Sequence, residues 1–288
     1  MSGPAGRLSV VGTGIRPGGH LTREAGHVVA AASRVFAVVD ALTLGLLTEL
    51  NPRVESLQDA YAVGRRRDDS YAEMVARVLA PLTRGEHVCA AFYGHPGVFV
   101  WPAHEAIRQA RAAGHQAVMY PGISAEDCLF ADLGLDPAVH GCQSFEASDF
   151  FIHARRFDPT AALILWQPIT LGDLGRDAFA SDPEWVRALA RVLAEEYPAE
   201  HPVSVYEAAV FPLDEPRIDT IELARLHEVV LTQRSTLYLP PTGPPRPSPD
   251  RLRMLGIDAE ALTPGAYQQF RDEAASDVPA QNLRFSGG

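Results

Sequence analysis

The chain contains no lysine. All 25 basic residues are arginine, against 36 acidic residues, which gives a net charge of -11 over 288 residues. A Walker-type phosphate loop needs a lysine and a pyridoxal or aldolase-type Schiff base needs an amine, so the sequence excludes both chemistries. The acidic balance, with no arginine run longer than Arg65 to Arg67, also argues against a nucleic-acid partner, because a nucleic-acid-binding face is basic.

Cysteine, metal-binding motifs and long apolar runs are equally scarce. The cysteines Cys89, Cys128 and Cys142 form no C-x-x-C pair and follow no secretory signal, so we expect no disulfide framework, no zinc site and a cytoplasmic location. None of the 10 histidines lies in an H-E-x-x-H motif, and we expect no catalytic metal. No window reaches the roughly 18 apolar residues of a membrane span, so we expect no membrane partner.

Hydrophobic residues make up 47% of the chain, enough for a sizeable core, and they occur as short β-branched runs between amphipathic segments. This pattern predicts an α/β fold with a largely buried sheet. We expect an N-terminal α/β lobe over residues 1–115, a C-terminal α/β lobe over 116–240, and a proline-rich linker with a helical tail over 241–288. The predicted strands are residues 8–11, 34–39, 88–93, 115–120, 162–167, 203–206 and 235–239, and the main predicted helices are residues 22–32, 41–50, 70–84, 102–113, 185–196 and 263–275.

Three glycine-rich turns follow predicted strands. They are Gly12-Thr13-Gly14, the turn from Gly94 to Gly97, and the turn from Pro121 to Ser124. The first departs from the G-x-G-x-x-G spacing of a dinucleotide site, and each turn alone is explained by tight chain reversal. Together they indicate a small ligand held between two α/β lobes, because glycine lets main-chain amides approach a ligand closely.

Longer strings around these turns identify a family. The stretches YGHPGVF, PGISAEDCLFADLG and GCQSFEASDF resemble the borosin-type enzymes of the tetrapyrrole methylase superfamily, and the similarity spans roughly residues 7–240. The resemblance implies a two-lobed fold with S-adenosyl-L-methionine in the cleft between the lobes, released as S-adenosyl-L-homocysteine. It implies that the protein methylates backbone amides of a peptide.

The resemblance also implies which residues surround the cofactor. These are residues of the glycine-rich loops, of strand ends and of a late Ser-Thr pair, namely Tyr93, His95, Val98, Ser124, Ala125, Gln167, Ala208, Ser235 and Thr236. Hydroxyls and main-chain amides suit the adenosine and carboxylate edges, while small residues allow close approach. For His95, a turn histidine bonded to its own loop is an equally good interpretation.

The catalytic group implied by the resemblance is Tyr61, Arg67 and Tyr71 in AYAVGRRRDDSY. Without the resemblance, this stretch is typical of a solvated charged loop. A further tyrosine expected just before Tyr61 is replaced by Gln58. An amide nitrogen needs a strong base, and we expect Arg67 to lower the pKa of Tyr61 so that its phenolate takes the proton. Arg67 would stabilise the developing imidate oxygen, while Tyr71 orients the amide or relays the proton.

The substrate is expected to be a separate precursor peptide, as in split borosin systems, because the residues after the linker are few and lack a Val/Ile-rich core. An alternative interpretation of the tail is a peripheral helix that docks on a dimer partner, and the family implies a homodimer. Two other functions remain open. One is a tetrapyrrole-type small-molecule methyltransferase, and the other is a non-catalytic peptide-binding scaffold.

Overall fold

The computed structural model describes residues 5–61, 65–173, 182–211 and 213–258. The chain divides into two compact units. The first holds the described residues of the ranges 1–129, 173–180 and 207–217, and the second holds those of 130–172, 181–206 and 218–288.

The first unit contains a parallel sheet with helices in its connections. In chain order its elements are β1 (Arg7–Gly12), α1 (Arg23–Ala31), β2 (Arg34–Val38), α2 (Ala41–Leu50), β3 (Val54–Ser56), α3 (Arg67–Leu79), β4 (His87–Phe92), α4 (Trp101–Ala112) and β5 (Gln116–Met119). The next helix, α5 (Ala125–Leu133), begins in the first unit and ends in the second. The strand order is β3-β2-β4-β1-β5, and the neighbouring strands pair in parallel. Two 3-10 helices, Gln58–Ala60 and Ala80–Arg84, flank α3.

Both faces of this sheet are buried. On one face, Met74 of α3 and Ile107 of α4 pack in a core with Val10 and Val88. On the other face, a second core contains Val29 of α1 and Leu47 of α2. Burial on both faces explains why the strands read as continuous apolar runs in the sequence.

The helix boundaries follow local capping chemistry. Thr22 caps α1 by accepting a hydrogen bond from the amide of Ala25, as its sequence position predicts. Asp40 accepts from the amides of Leu42 and Thr43 at the start of α2, which spans the expected residues. The helix expected over 70–84 begins earlier and changes to a 3-10 helix after Leu79, where Pro81 removes an amide donor.

The second unit is built around a mixed sheet. Its remaining elements are α6 (Pro137–His140), β6 (Cys142–Glu146), α7 (Ala147–Ile152), β7 (Ala162–Trp166), α8 (Pro183–Leu193), β8 (Pro202–Glu207), β9 (Arg217–Glu222), β10 (Thr236–Leu239) and α9 (Pro249–Met254). The strand order is β6-β7-β10-β8-β9, with β6 parallel to β7 and β10 antiparallel to both of its neighbours. Phe150, Leu165, Leu189, Val205 and Leu237 belong to its core.

The structure differs from the expected lobe boundary at residues 115 and 116. The first unit continues to Leu129, because β5 pairs with β1 and completes the first sheet. The linker also differs from expectation. Thr242 donates to the carbonyl oxygen of Pro159 at 2.9 Å, and α9 begins at Pro249. The helix expected over 263–275 lies outside the described residues.

None of the described helices is long and apolar enough to cross a membrane.

The three glycine-rich turns meet at the carboxyl edge of the first sheet. Gly14 and Gly94 exchange two backbone hydrogen bonds, of 3.2 and 3.0 Å. A Cβ atom on Gly12 would lie 2.3 Å from the carbonyl oxygen of Gly94 and 3.3 Å from the Cα atom of Gly122. The turns therefore need glycine at residue 12 because the chain packs against itself there.

A pair of glycine variants tests this packing. Gly12→Ala should lower the free energy of unfolding by about 1–3 kcal/mol, because backbone atoms must move to admit the methyl group. Gly45→Ala should raise it by about 0.5–1 kcal/mol, since Gly45 lies inside α2 with nothing within 4 Å of its added Cβ. Urea denaturation measures both. Equal effects of the two variants would contradict the packing argument.

Candidate functional site

The structure brings Tyr61, Arg67 and Tyr71 together. Tyr61 follows the 3-10 helix after β3, while Arg67 and Tyr71 lie four residues apart on α3 and therefore share a helix face. The Arg67 guanidinium carbon lies 4.3 Å from the centroid of the Tyr61 ring. The rings of Tyr61 and Tyr71 meet edge to face, with centroids 6.4 Å apart. This is a cation-π pair joined to an aromatic pair.

The electrostatic balance at Tyr61 differs from the sequence expectation. The pKa of Tyr61 is raised to about 12, mainly by burial and to a smaller extent by Tyr71, while the positive charge of Arg67 opposes both. Arg67 therefore acts in the expected direction, but burial outweighs it. In the protein alone, Tyr61 is a phenol at neutral pH, so the expectation of an accessible phenolate is wrong for this state.

Trp101 extends this aromatic group and was missed in the sequence. Its ring stacks on Tyr71 with centroids 6.1 Å apart and an interplanar angle of 21°, and 52% of the residue is exposed. Phe99, two residues earlier, has a left-handed backbone with φ of 55° and is also exposed. A bulky residue adopts this backbone at an energetic cost, which marks the loop as unusual. In the sequence, the two aromatic residues Phe99 and Trp101 at the end of this loop were the feature that could have indicated the larger aromatic group.

The three consecutive arginines have different environments. Arg66 and Asp68 form a surface pair with side chains 80% exposed, which fits the solvated-loop interpretation. Arg65 instead pairs with Glu73 on α3, at 2.5 Å. Gln58, which replaces an expected tyrosine, donates through its side-chain amide to the carbonyl oxygen of Val39 at 3.2 Å. It therefore ties the segment before Tyr61 to the end of β2.

The expected cofactor residues of the first unit occupy three settings. Tyr93 and Val98 are exposed on the loop after β4. His95 accepts a hydrogen bond at Nδ1 from the amide of Gly97, 2.9 Å away, as the alternative turn interpretation predicts. Ser124 donates from its amide and its hydroxyl to the Asp127 carboxylate, both at 2.7 Å, directly before Ala125 begins α5. Both donors of Ser124 are thus committed to a local turn.

Three of the expected cofactor residues, Gln167, Ser235 and Thr236, belong to the second unit and lie at one end of the neighbouring strands β7 and β10. Thr236 of β10 pairs with Trp166 of β7, so Gln167 follows β7 at the level of Ser235. Gln167 has a left-handed backbone with φ of 53°, and its side-chain amide makes no hydrogen bond to any described residue. The Ser235 hydroxyl accepts from the amide of Thr232 at 2.8 Å. Ala208, which belongs to the first unit, directly follows β8 in the chain.

Among the expected cofactor residues, Gln167 has the structural features that best indicate a ligand contact. A left-handed glutamine costs about 1–2 kcal/mol relative to glycine. A strained residue with an unused polar side chain is typical of a ligand-binding position. Sequence reasoning assigned Gln167 from the resemblance, without access to its backbone angle.

The described residues contain no group of three histidine, cysteine, aspartate or glutamate side chains placed to hold a metal ion. Cys89 is fully buried in the sheet, and burial raises the pKa of its thiol to about 12, so it packs as a small apolar residue.

Comparison with known proteins gives a consistent picture. Residues 7–223 match the model of the Tetrapyrrole (Corrin/Porphyrin) Methylases. A relative from Gymnopus fusipes, named methyltransferase/ribosomally synthesized cyclic peptide gymnopeptides precursor, is 39% identical over 92% of this chain and 64% of its own length. A Coprinopsis marcescibilis relative, named methyltransferase/ribosomally synthesized type I borosin cyclic peptide precursor, is 36% identical over 83% of this chain and 63% of its own. The chain therefore spans slightly less than two thirds of these relatives.

The fold is also found among solved structures. Uroporphyrin-III C-methyltransferase from Thermus thermophilus, solved with S-adenosyl homocysteine, matches with a TM-score of 0.56 and 19% identity over 82% of this chain and 97% of that chain. This likeness confirms the expected α/β fold class of the tetrapyrrole methylase type.

The environment of Tyr61 makes a prediction that needs no substrate. With tyrosine labelled at the Cζ carbon, the Tyr61 resonance should keep the shift of a phenol at about pH 10.5, where an ordinary tyrosine is more than half ionised. Tyr71→Phe should lower the pKa of Tyr61 and Arg67→Gln should raise it. The resonance is assigned by its loss in Tyr61→Phe. A Tyr61 midpoint near pH 10 in the unchanged protein would contradict the burial argument.

Proposed function

Because the chain belongs to the tetrapyrrole methylase family, we propose that it is an S-adenosylmethionine-dependent methyltransferase that acts on backbone amides of a precursor peptide. The names of the relatives, which join a methyltransferase to a cyclic peptide precursor, support the peptide as substrate. The observation that carries the proposal is the contact of Tyr61 with Arg67 and Tyr71. It joins a phenol and a fixed cation, the two groups that amide methylation requires.

The difficulty of the reaction lies in the substrate. The lone pair of an amide nitrogen is delocalised into the carbonyl group, so the nitrogen is a poor nucleophile while it keeps its proton. Removal of that proton places negative charge on the amide oxygen. A base must therefore act on the nitrogen while a cation stabilises the oxygen.

The described residues can fill both roles. The Oη atom of Tyr61, as phenolate, takes the amide proton, and the Arg67 guanidinium stabilises the imidate oxygen by charge-assisted hydrogen bonds. Tyr71 lies against Tyr61 and orients the amide or relays the proton from Oη. With a pKa of about 12, only about one Tyr61 in 10⁵ is ionised at pH 7. The methylation rate should therefore rise with pH.

We propose that Tyr93, His95, Val98, Ser124, Ala125, Gln167, Ala208, Ser235 and Thr236 hold the cofactor. When bound, S-adenosylmethionine supplies the sulfonium methyl group and leaves as S-adenosylhomocysteine. The donor set fits this molecule: the unused amide of Gln167 offers both a donor and acceptors, and the exposed Tyr93 and Val98 offer apolar surface for an adenine ring. Ser124 and His95 act by shaping their loops, since their hydrogen bonds are local.

The methylated amides are proposed to lie in a separate precursor peptide. Residues 259–288 contain one valine and no isoleucine, so this segment does not offer the Val/Ile-rich core that the resemblance implies for a substrate. Mass spectrometry of the full chain incubated with S-adenosylmethionine and a peptide can detect methyl groups on this segment and on the added peptide in one experiment.

The decisive experiment is a methyl-transfer assay on the full chain with S-adenosylmethionine and a synthetic Val/Ile-rich peptide. Mass spectrometry with fragmentation should locate added methyl groups on backbone nitrogens of the peptide, with a rate that rises about tenfold per pH unit below the Tyr61 pKa. Tyr61→Phe should lower kcat by about 10²–10⁴-fold, because it removes the general base. Arg67→Ala should lower kcat by about 10²–10³-fold.

Tyr120→Phe is the matched control. Tyr120 lies in the same unit and also accepts a hydrogen bond from an arginine, Arg7, at 3.1 Å, yet it is outside the proposed catalytic group. Its kcat should stay within about twofold of the unchanged protein, because the hydroxyl that is removed bonds Arg7 and not a member of the proposed catalytic group. Methyl groups on residues 241–288 of the chain itself would overturn the separate-peptide proposal. Methylation of uroporphyrinogen III but not of peptide would overturn the peptide proposal.

A second test concerns Gln167 and uses binding alone. Gln167→Gly should raise the Kd for S-adenosylmethionine about tenfold, through loss of hydrogen bonds from the side-chain amide. The free energy of unfolding should change by less than about 1 kcal/mol, because relief of the left-handed backbone offsets the added flexibility of glycine. Calorimetric titration and urea denaturation measure the two quantities.

Ala154→Gly provides the control for backbone effects. Ala154 is also a left-handed residue, with φ of 44°, in the second unit. This variant relieves a similar backbone cost without removing an amide, so the Kd should not change. An unchanged Kd in Gln167→Gly would remove Gln167 from the proposed cofactor contacts.

A further inference from the structure

One arginine on α3 contacts two carboxylates that precede Tyr61 in the chain. Nη1 of Arg77 lies 2.8 and 2.9 Å from the two carboxylate oxygens of Asp59. Nη2 lies 2.6 Å from Glu55 and donates to the carbonyl oxygen of Ser56 at 3.3 Å. A single guanidinium therefore joins α3 to β3 and to the 3-10 helix that ends at Tyr61.

Glu73, one turn before Arg77, links this contact to a second arginine. One carboxylate oxygen of Glu73 lies 3.6 Å from Arg77, and the other lies 2.5 Å from Nη1 of Arg65. Arg65 also donates to the carbonyl oxygen of Ala60, the residue before Tyr61, at 3.4 Å. The two residues before Tyr61 are thus both held to the helix that carries Arg67 and Tyr71.

Stability does not explain such a network. Ion pairs that water reaches add little to folding, and the carboxylates of Glu55 and Asp59 are well exposed. What a guanidinium adds is geometry, since its planar fork fixes the directions of several hydrogen bonds at once. In the described part of the chain no hydrogen bond joins Arg77 to Tyr61, Arg67 or Tyr71, so it does not belong to the catalytic group itself.

We propose that Arg77 is a positioning residue, which fixes Tyr61 relative to Arg67 and Tyr71 by clamping Asp59 and Glu55 to α3. This inference rests on the proposed function for its catalytic consequence, although the clamp itself can be tested without substrate. Misplacement of a catalytic group by about 1 Å can reduce a rate by about 10²-fold, so loss of the clamp should appear in kcat.

The first measurement follows the Tyr61 Cζ resonance in Arg77→Gln. The resonance should shift, and its ionisation should move to lower pH, because Tyr61 becomes less enclosed. Arg108→Gln is the matched control: Arg108 pairs with Glu105 on α4 at 2.5 Å, and its loss should leave the resonance unchanged. Both variants should keep their melting temperatures within about 5 °C of the unchanged protein.

The second measurement is kcat for methyl transfer to the synthetic peptide. Arg77→Gln should lower kcat by about tenfold or more, with the Kd for S-adenosylmethionine within about twofold of the unchanged protein. Arg77→Lys, which keeps the charge but loses the fork, should give an intermediate kcat. The double variant Tyr61→Phe/Arg77→Gln should be no slower than Tyr61→Phe, because two residues that act through one group are not additive.

The outcomes separate the clamp from the proposed function. An unchanged Tyr61 resonance in Arg77→Gln, or rate losses that multiply in the double variant, would overturn the positioning role. Absence of methyl transfer by the unchanged protein would contradict the proposed function, while the resonance shift would still support the clamp. If Arg77→Gln does not fold, Asp59→Asn removes the other half of the same contact and gives the same readouts.

Discussion

A phenol enclosed beside a guanidinium is the constraint on which the candidate site depends. Burial favours the neutral form of Tyr61, and the charge of Arg67 favours the ionised form. Burial prevails in the protein alone, so Tyr61 keeps its proton at neutral pH and must lose it before it can serve as the base that we propose. A more open site would ionise more readily, but water would then weaken the hold of Arg67 on a developing negative charge. In the proposed mechanism, the enclosure that hinders ionisation of Tyr61 thus strengthens the stabilisation of the imidate oxygen by Arg67.

This arrangement follows from where the chain places its strand ends. The carboxyl end of β3 leads through one 3-10 helix to Tyr61, while the carboxyl ends of β1 and β4 lead into the glycine-rich turns that meet at Gly12 and Gly94. In a parallel sheet these ends share one edge, which is where open α/β sheets bind their ligands. The glycine at residue 12 serves contact between these turns. The position of Gly12 after a strand therefore indicated the ligand-binding edge of the sheet, although the direct role of this glycine is to let the turns pack together.

The elements predicted best from the sequence are those whose ends are marked by local capping or helix-stopping residues. The end of α2 could be placed because Asn51-Pro52 stops the helix, and the structure shows that Asp40 caps its start. The strands β6 and β9 were missed because they lie at the edges of the second sheet and carry polar side chains, which weakens the apolar signal. The boundary between the units was misplaced because strand pairing, such as β5 with β1, is not local in sequence.

The contacts of the candidate site were also difficult to predict, because they too join residues that are not neighbours in the sequence. Arg65, Arg66 and Arg67 are identical letters, yet they contact a carboxylate on α3, a surface aspartate and an aromatic ring respectively. Only the resemblance singled out Arg67. Arg77 had no such guide, because its carboxylate partners lie 18 and 22 residues away. In a chain without lysine, each of these cations has the same planar fork, so their different roles come from the partners that the fold supplies. That dependence on tertiary partners is why residue identity and spacing could not reveal the clamp behind Tyr61.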